Sequence, residues 1–316
     1  MTGYCIRRVG QGVVVVIAVT FITFFEAHLL PGNPARAILG VHASSAQIAA
    51  FNQENGYDKP LPVQYADYII RLLHGNLGFS YQQNQTVAAL LGERLGPTVV
   101  LVGLSVVVAV IVAIPLAALQ AVRRNKPVDY AVTGAALTFY SMPTFWLGLV
   151  LIMLLAEKVH LFPPNAPQGS TVQVLAHPVG LVLPVVTLSL VSIASFSRYL
   201  RSSLLDNLAL DYVRTARAKG CSRLTVLFRH VFRNALAPVI TLIGLSLPGI
   251  LSGALITESV FNYPGMGLLY WQSALSQDYP VLLGVTIVVA LATVAGSLLA
   301  DILYAVADPR VRYRGA

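Results

Sequence analysis

Long apolar stretches that contain no charged residue are the feature that most limits how this chain can fold. Residues 97–122 and 131–156 contain no Lys, Arg, Asp or Glu. Each stretch is long enough to cross the hydrocarbon core of a bilayer as an α-helix, which takes about 20 residues. Charged residues make up only 11% of the chain and gather in clusters between such stretches. The pattern predicts an all-α polytopic membrane protein, because only helices and closed barrels satisfy their backbone in lipid.

Six apolar stretches predict six transmembrane helices. They cover residues 9–30, 97–122, 131–156, 181–196, 235–257 and 281–300. This arrangement leaves only five of the 21 Lys and Arg outside, namely Arg36, Lys59, Arg71, Arg94 and Lys158. Because cytoplasmic loops carry the excess of Lys and Arg, we expect a multi-pass protein of the cell membrane with both termini in the cytoplasm.

Residues 31–94 form the one sizeable segment outside the predicted spans. Ser44 and Gln47 have the spacing of a capping box, which starts a helix that we expect to stop at Gly56. Pro62 can begin a second helix, since proline is favoured in the first turn. A segment of about sixty residues folds only into a small domain that the membrane part supports. We expect an extracytoplasmic scaffold or a docking surface for a binding protein.

The most basic segment of the chain precedes the fifth predicted span. Apolar and small residues recur at helical spacing from Leu205 to Ala216, which predicts one helix that arrives at Gly220. Glycine just past such a run supplies the left-handed residue that closes a helix. Ser222 can then cap a second helix. We expect one face of that helix to carry Leu224, Leu227, Phe228, Val231 and Ala235. A rigid helix–glycine–helix pair suits docking into a groove of another protein.

The chain lacks the motifs of several other protein classes. It contains no G-x-x-x-x-G-K-[ST] phosphate loop and no G-x-S-x-G elbow, so we expect neither ATP binding nor covalent catalysis by this chain. Its six His are scattered, and His160 and His177 share a loop without a carboxylate or Cys cluster, so no metal site is expected. The basic residues alternate with spans and form no aromatic-lined face, which argues against nucleic-acid binding. We expect a transporter subunit and not an enzyme.

Short motifs are spread along nearly the whole chain. They are LLPGNPA at 29–35, GNLGFSY at 75–81, SMPTFWLGL at 141–149, an E-x-x-F-x-x-P-G-x-G turn at 258–267 and DPR at 308–310. Together they resemble motifs of the dipeptide and oligopeptide permeases of bacterial ABC importers. The basic segment is similar to the EAA loop that contacts the ATPase in such permeases. Arg214-Thr215-Ala216 stands in place of Glu-Ala-Ala, and Arg233 stands where many members have proline. Both departures fit the peptide-importer branch.

The resemblance implies a type I ABC importer permease fold with four parts. These are a first transmembrane helix at 1–30, an extracytoplasmic segment at 31–94, a permease domain at 95–306 with a coupling loop at 205–235, and a cytoplasmic tail at 307–316. It also implies that the chain forms half of a peptide translocation pathway in the cytoplasmic (inner) membrane. The implied partners are a second homologous permease, two ABC ATPase subunits that bind ATP and Mg²⁺, an extracytoplasmic substrate-binding protein and membrane lipid. The chain itself is expected to bind no cofactor.

Two sets of candidate site residues follow from the resemblance. The ATPase-coupling set comprises Arg214, Thr215, Ala216, Arg217, Ala218, Lys219, Gly220, Ser222, Leu224, Leu227, Phe228, Arg229 and Arg233. The pathway or gate set comprises Ser141, Pro143, Phe145, Trp146, Glu258, Phe261, Pro264, Gly265 and Gly267. Proline inside a span frees backbone carbonyls that must face protein or a water-filled path, and a kinked packing helix is the alternative at Pro143. We expect the two glycines of the outer turn to supply conformations closed to other residues.

Several other functions fit the same sequence. Importers of nickel, glutathione or haem share the same branch. An ion-coupled secondary transporter would use intramembrane acids, and Glu26, Glu258 and Asp301 lie near span ends. A further alternative places the basic loop on anionic lipid, as many cytoplasmic loops are.

Overall fold

The described part of the protein is mostly helical. The computed structural model describes residues 2–29, 34–39, 42–236, 244 and 254–307. The DPR motif at 308–310 therefore lies outside the described residues, and so does most of the predicted span at 235–257.

The first third of the chain contains one long helix and a small segment within residues 31–94, which we call the outer segment after its predicted position. Its elements are α1 (Thr2–Leu29), α2 (Pro34–Leu39), α3 (Ser45–Asn55), α4 (Leu61–Leu73), β1 (Phe79–Ser80) and β2 (Gln85–Thr86). The two strands pair antiparallel, with Phe79 opposite Thr86.

The remainder of the chain carries the longest helices. They are α5 (Val87–Val122), α6 (Pro127–Ser141), α7 (Thr144–Leu151) with a π-helix at Ile152–Lys158, α8 (Thr171–Ala176), a 3₁₀ turn at Pro178–Leu181, α9 (Val182–Leu208), α10 (Asp211–Ala218), α11 (Arg223–Thr225) with a π-helix at Val226–Val231, α12 (residues 254–260), α13 (Met266–Leu275) and α14 (Tyr279–Ala307).

Three helices of the described part are long and apolar enough to cross a membrane. They cover Val87–Val122, Pro178–Leu208 and Tyr279–Leu298. The pair α6 and α7 counts as a fourth if its two halves form one span. The chain direction bends by 107° between the two halves, at Pro143, so the predicted break at this proline is confirmed. Within α1, a shorter apolar stretch runs from Gly10 to Glu26.

Helix α9 lies at the centre of the described part, packed against α5 and α6, and α1 packs along α14. Small polar residues let α5 and α9 approach closely. The Ser189 hydroxyl, which donates to the Val185 carbonyl oxygen at 2.6 Å, lies 3.1 Å from the Ser105 carbonyl oxygen, and the Ser105 hydroxyl lies 3.4 Å from the Val185 carbonyl oxygen. Hydroxyl contacts between small residues are a common way for membrane helices to associate.

The outer segment is anchored to the first and last long helices. The predicted capping box is confirmed, since the backbone amide of Gln47 donates to the Ser44 side chain. Helix α3 ends at Gly56, as predicted, and this glycine has φ of +71°. Aromatic side chains fix α4 to α1, with the rings of Tyr68 and Phe24 stacked 5.9 Å apart. The Ser80 hydroxyl donates to the carboxylate of Asp278, just before α14. Burial raises the pKa of Asp278 above its usual range.

Candidate functional site

The basic loop at 205–235 consists of short helices that meet at a left-handed glycine. Gly220 has φ of +82°, as the sequence predicts for a residue that closes a helix. The Thr225 amide donates to the Ser222 hydroxyl at 3.2 Å, so the predicted cap of the next helix is also present. The elbow itself is therefore encoded locally.

The single helix predicted from Leu205 to Ala216 is wrong. Helix α9 ends at Leu208, and α10 starts at Asp211 after an extended Leu210 with ψ of 152°. Asp211 lies in the first turn of α10, where the helix dipole favours a negative charge. The Tyr212 hydroxyl donates to Asn207 across the break at 3.1 Å and fixes the angle between the helices.

The predicted face of the second helix is also partly wrong. Leu227, Val231 and Ala235 are buried as expected, but Leu224 is 62% exposed and Phe228 is 57% exposed. Phe228 lies inside the π-helix at Val226–Val231, whose wider turn changes side-chain directions relative to a regular helix. Val226 takes a buried position instead.

The buried side of the loop packs on two long helices. Val213, Ala216, Val226, Leu227 and Val231 form one core with Leu200 and Leu204 of α9 and with Ala117, Ala118 and Ala121 of α5. The alanines of α5 leave room for the loop to approach closely. A movement of the loop would therefore act directly on α5 and α9, because packed interiors transmit displacement.

The opposite side of the loop is exposed and basic. Arg214, Thr215, Arg217, Ala218, Lys219, Gly220, Ser222, Arg229 and Arg233 are exposed there, together with Leu224 and Phe228. The Arg214 guanidinium lies 3.5 Å from the Asp211 carboxylate, and both side chains are largely in solvent. Such a pair contributes little stability. The exposed residues of the loop thus include two large apolar side chains, Leu224 and Phe228, and five basic ones.

The candidate residues around the helix break lie on the outside of this chain. Ser141, Pro143, Phe145 and Trp146 are exposed. Gly148 is buried one turn later, and a Cβ placed there would lie 3.1 Å from the Phe261 ring. The second half of the broken helix therefore rests on the turn at 258–267, which we call the outer turn after its predicted position.

The other candidate gate residues are buried inside the chain. Glu258 has no exposed surface, and Phe261, Pro264, Gly265 and Gly267 are buried as well. The Thr98 hydroxyl donates to one oxygen of Glu258 at 2.6 Å, and the Gly267 amide donates to the other at 2.5 Å. The same Thr98 oxygen accepts from the Met266 amide at 2.9 Å. Glu258 therefore fixes the start of α13 to α5. Its carboxylate lies at the N-terminus of α13, where free backbone amides attract a negative charge.

Space, and not conformational freedom, explains the two glycines of the outer turn. Gly265 has φ of −108° and lies in extended backbone, so the expected special conformation is absent. A Cβ on Gly265 would lie 2.3 Å from the Glu258 carboxyl carbon. A Cβ on Gly267 would lie 2.2 Å from the Leu255 Cα. Each glycine permits a contact that any larger residue would block.

Two residues that the sequence did not single out complete the outer turn. Thr98 bridges α5 to Glu258 and Met266, and the Tyr263 hydroxyl donates to the Pro97 carbonyl oxygen at 2.6 Å. The loop before α8 is held as well, because the Ala166 amide donates to the Phe261 carbonyl oxygen at 2.8 Å. Nothing in the local sequence around Thr98 marks it, since its partners lie far along the chain.

Across the described ranges, no three His, Cys, Asp or Glu side chains come close enough to hold a metal ion. The described residues thus include an exposed basic loop at 205–235 and a buried, hydrogen-bonded turn at 258–267.

Comparison with known proteins covers the whole length of the chain. Residues 113–313 match the family described as "Binding-protein-dependent transport system inner membrane component", and residues 1–105 match its N-terminal companion family. The chain is 36% identical over 316 residues to the oligopeptide transport system permease protein AppB of Bacillus subtilis, covering 99% of this chain and 100% of that protein. It is 35% identical over 344 residues to the dipeptide transport system permease protein DppB of Escherichia coli K12, covering 99% and 100%.

A solved structure shares the fold. A chain of the MetNI methionine ABC transporter, solved in inward-facing conformations, aligns with a TM-score of 0.52 and 17% identity. The alignment covers 68% of this chain and 97% of that chain.

Proposed function

This chain belongs to the family of binding-protein-dependent transport system inner membrane components, and from that premise we propose that it forms half of the translocation pathway of an ABC importer for dipeptides or oligopeptides. Relatives that match over the full length are named as dipeptide and oligopeptide permeases, which supports peptides as the substrate class. The chain is the membrane component of such a system and carries out no covalent chemistry.

The observation that carries the proposal is the two-sided basic loop. Its exposed residues combine the large apolar side chains of Leu224 and Phe228 with several Arg and Lys, which suits a groove that offers both apolar and acidic groups. Its buried side packs on α5 and α9, which are both candidate membrane spans. We infer that an ATPase subunit docks on the exposed side and that its ATP-driven movement reaches the spans through the buried side.

The remaining partners follow from the same assembly. A second homologous permease would complete the pathway, two ATPase subunits would bind ATP and Mg²⁺, and a substrate-binding protein would deliver peptide from outside. The exposed residues Ser141, Pro143, Phe145 and Trp146 are then available to the second permease, to lipid or to the pathway. The outer segment at 31–94 is a scaffold or a docking surface for the binding protein.

We place the chain in the inner membrane with six spans and both termini in the cytoplasm. The three helices that pass the length and hydropathy test, the bent pair and the apolar part of α1 support five of these spans. The bias of basic residues supports the orientation, because it places the basic loop inside. We also propose that the outer turn helps to gate the extracytoplasmic mouth. This role is supported by its hydrogen bonds to α5.

Uptake by cells that express the chain with its partner subunits tests the proposal. Radiolabelled dipeptide and a longer peptide should accumulate only when ATP is present and the binding protein is loaded. Depleting ATP should abolish uptake, and an ionophore at constant ATP should leave it unchanged. Loss of uptake with the ionophore alone would instead support an ion-coupled carrier. Uptake of nickel, glutathione or haem, without uptake of peptide, would place the chain with another substrate of the same branch.

A further inference from the structure

A partly buried ion pair joins α6 to α9 beside the basic loop. Asp129, in the first turn of α6, is only 2% exposed. The Arg201 side chain of α9 donates twice to its carboxylate, from Nε to Oδ1 and from Nη2 to Oδ2, each at 2.7 Å. The backbone amide of Asn125 donates to Oδ2 of Asp129 at 3.0 Å. The Asp129 carboxylate therefore has donors at both oxygens.

The geometry of this pair favours a rigid joint. Two parallel hydrogen bonds between guanidinium and carboxylate fix both distance and orientation. The Gln120 side chain on α5 supports the arrangement, because its Nε2 donates to the Thr133 hydroxyl at 3.0 Å on α6. A buried ion pair gives little net stability over well-packed apolar residues, but its removal leaves an uncompensated charge. Its location is therefore more informative than its strength.

The pair lies between the basic loop and the helix break. Leu200 and Leu204, which pack against the loop, flank Arg201 on α9. Helix α6 starts at the pair and runs directly to the break before Pro143. The contacts thus form one continuous series from the loop to α9, then to Asp129, then to the broken helix.

We propose that Asp129 and Arg201 are positioning residues that make α6 move together with α9 when a partner ATPase displaces the basic loop. This inference rests on the proposed function. Without the pair, α9 would follow the loop while α6 and the exposed residues of the broken helix lag behind it.

Asp129→Asn and Arg201→Gln in the purified complete complex provide the first test. Both variants should assemble with their ATPase subunits and keep basal ATP hydrolysis. Stimulation of hydrolysis by loaded binding protein, and peptide uptake, should each fall about tenfold, within the usual range of coupling between sites. Arg124→Gln is the matched control, because Arg124 is exposed at the same end of α5 and α6. Its stimulation should stay within about twofold of wild type, as for most surface substitutions.

A cross-link at the same positions keeps the test independent of charge. Asp129→Cys with Arg201→Cys, in a background with Cys5 and Cys221 replaced by Ser, removes the pair and should lose stimulation. A short bis-methanethiosulfonate reagent that joins the two thiols should restore it, because the helices are again held together. Cross-linking at either position alone gives the control for modification.

Two results would overturn the inference. One is normal stimulation in Asp129→Asn and Arg201→Gln. The other is a cross-linked complex that stays inactive although intact, since it would mean that α6 and α9 must separate during transport. The wild-type complex reports on the proposed function separately. If wild type fails to respond to any peptide, the peptide proposal is wrong, whereas a responsive wild type with unresponsive variants concerns only the ion pair.

Discussion

Gly220 in the basic loop and Gly267 in the outer turn are both motif glycines, but they are glycine for opposite physical reasons. Gly220 has φ of +82° and open space where a Cβ would lie. Gly267 lies in a helix, and a Cβ there would come within 2.2 Å of the Leu255 Cα. Gly220 is needed for its left-handed backbone conformation, whereas Gly267 is needed because the Leu255 backbone leaves no room for a side chain.

This difference corresponds to two ways of building a functional region. The basic loop exposes its specific residues and depends on packing from one side only. The outer turn buries its specific residues and connects them to α5 through Thr98 and Tyr263. Changes in the loop should therefore mainly affect partners, whereas changes in the turn should mainly affect the chain itself.

Gly267→Ala should have the largest effect on stability. The added methyl meets backbone atoms of α12, which cannot rotate away, so we expect a loss of about 3 kcal/mol. The gain in helix propensity from alanine, about 1 kcal/mol, is too small to compensate. The measurement is the thermal midpoint of the detergent-solubilised permease. Gly92→Ala is the matched control, since Gly92 lies in α5 and a methyl group added to it would meet no atom within 4 Å.

Thr98→Val should be the next most damaging change. Valine has the same shape but leaves the Met266 amide and one Glu258 oxygen without their partner, which costs about 2 kcal/mol. Thr98→Ser keeps the hydroxyl and should stay near wild type. The same thermal midpoint checks both variants, and equal midpoints for Ser and Val would show that the hydrogen bonds do not hold the turn.

Gly220→Val should have a smaller effect on stability and a clear effect on partners. A β-branched residue in the left-handed region costs about 1–2 kcal/mol, and the strain can be relieved by re-angling the helix that carries Leu224 and Phe228. The permease should remain in the membrane but lose ATPase subunits or peptide-stimulated hydrolysis. Alanine at this position should be milder.

Asparagine separates the two glycines in one experiment. Asparagine tolerates the left-handed conformation, so Gly220→Asn should retain ATPase subunits almost normally. Gly267→Asn adds a larger side chain where no room exists and should be at least as unstable as Gly267→Ala. Comparable damage at both positions, measured by thermal midpoint and ATPase co-purification, would remove the distinction between them.

Leu224→Gln should have the smallest effect on the fold. Leu224 is exposed, so the free energy of unfolding should change by no more than about 0.5 kcal/mol. Because its apolar side chain is proposed to dock on an ATPase, co-purification of ATPase subunits should nevertheless fall. An unchanged yield of ATPase subunits would show that the docking surface does not include Leu224.

Local signals in the sequence predict some of these features well. The Ser44 capping box, the left-handed Gly220 and the break at Pro143 each depend on residues within one or two turns. The break at Leu210 escapes prediction because Leu205 to Ala216 keeps a helical spacing across it. The exposure of Phe228 escapes prediction because periodicity assumes a regular helix and cannot reveal a π-turn.

Long-range contacts cannot be predicted from such local patterns. Thr98 and Glu258 are separated by 160 positions, and Asp129 and Arg201 by 72. Taken alone, none of these four residues carries a local sequence signal that identifies its partner. The motif at 258–267 points to the outer turn through family resemblance, but the reason for its glycines follows only from the packing of Leu255 and Glu258.

The most direct test of the account compares one thiol in each region. In a background without Cys5 and Cys221, Phe228→Cys should cross-link to an ATPase subunit and should react with an impermeant thiol reagent only after cell lysis. Gln272→Cys, exposed on α13 beyond the outer turn, should react in intact cells and should not cross-link to the ATPase. Labelling of Phe228→Cys in intact cells, or no ATPase cross-link in the assembled complex, would contradict the proposed role of the basic loop.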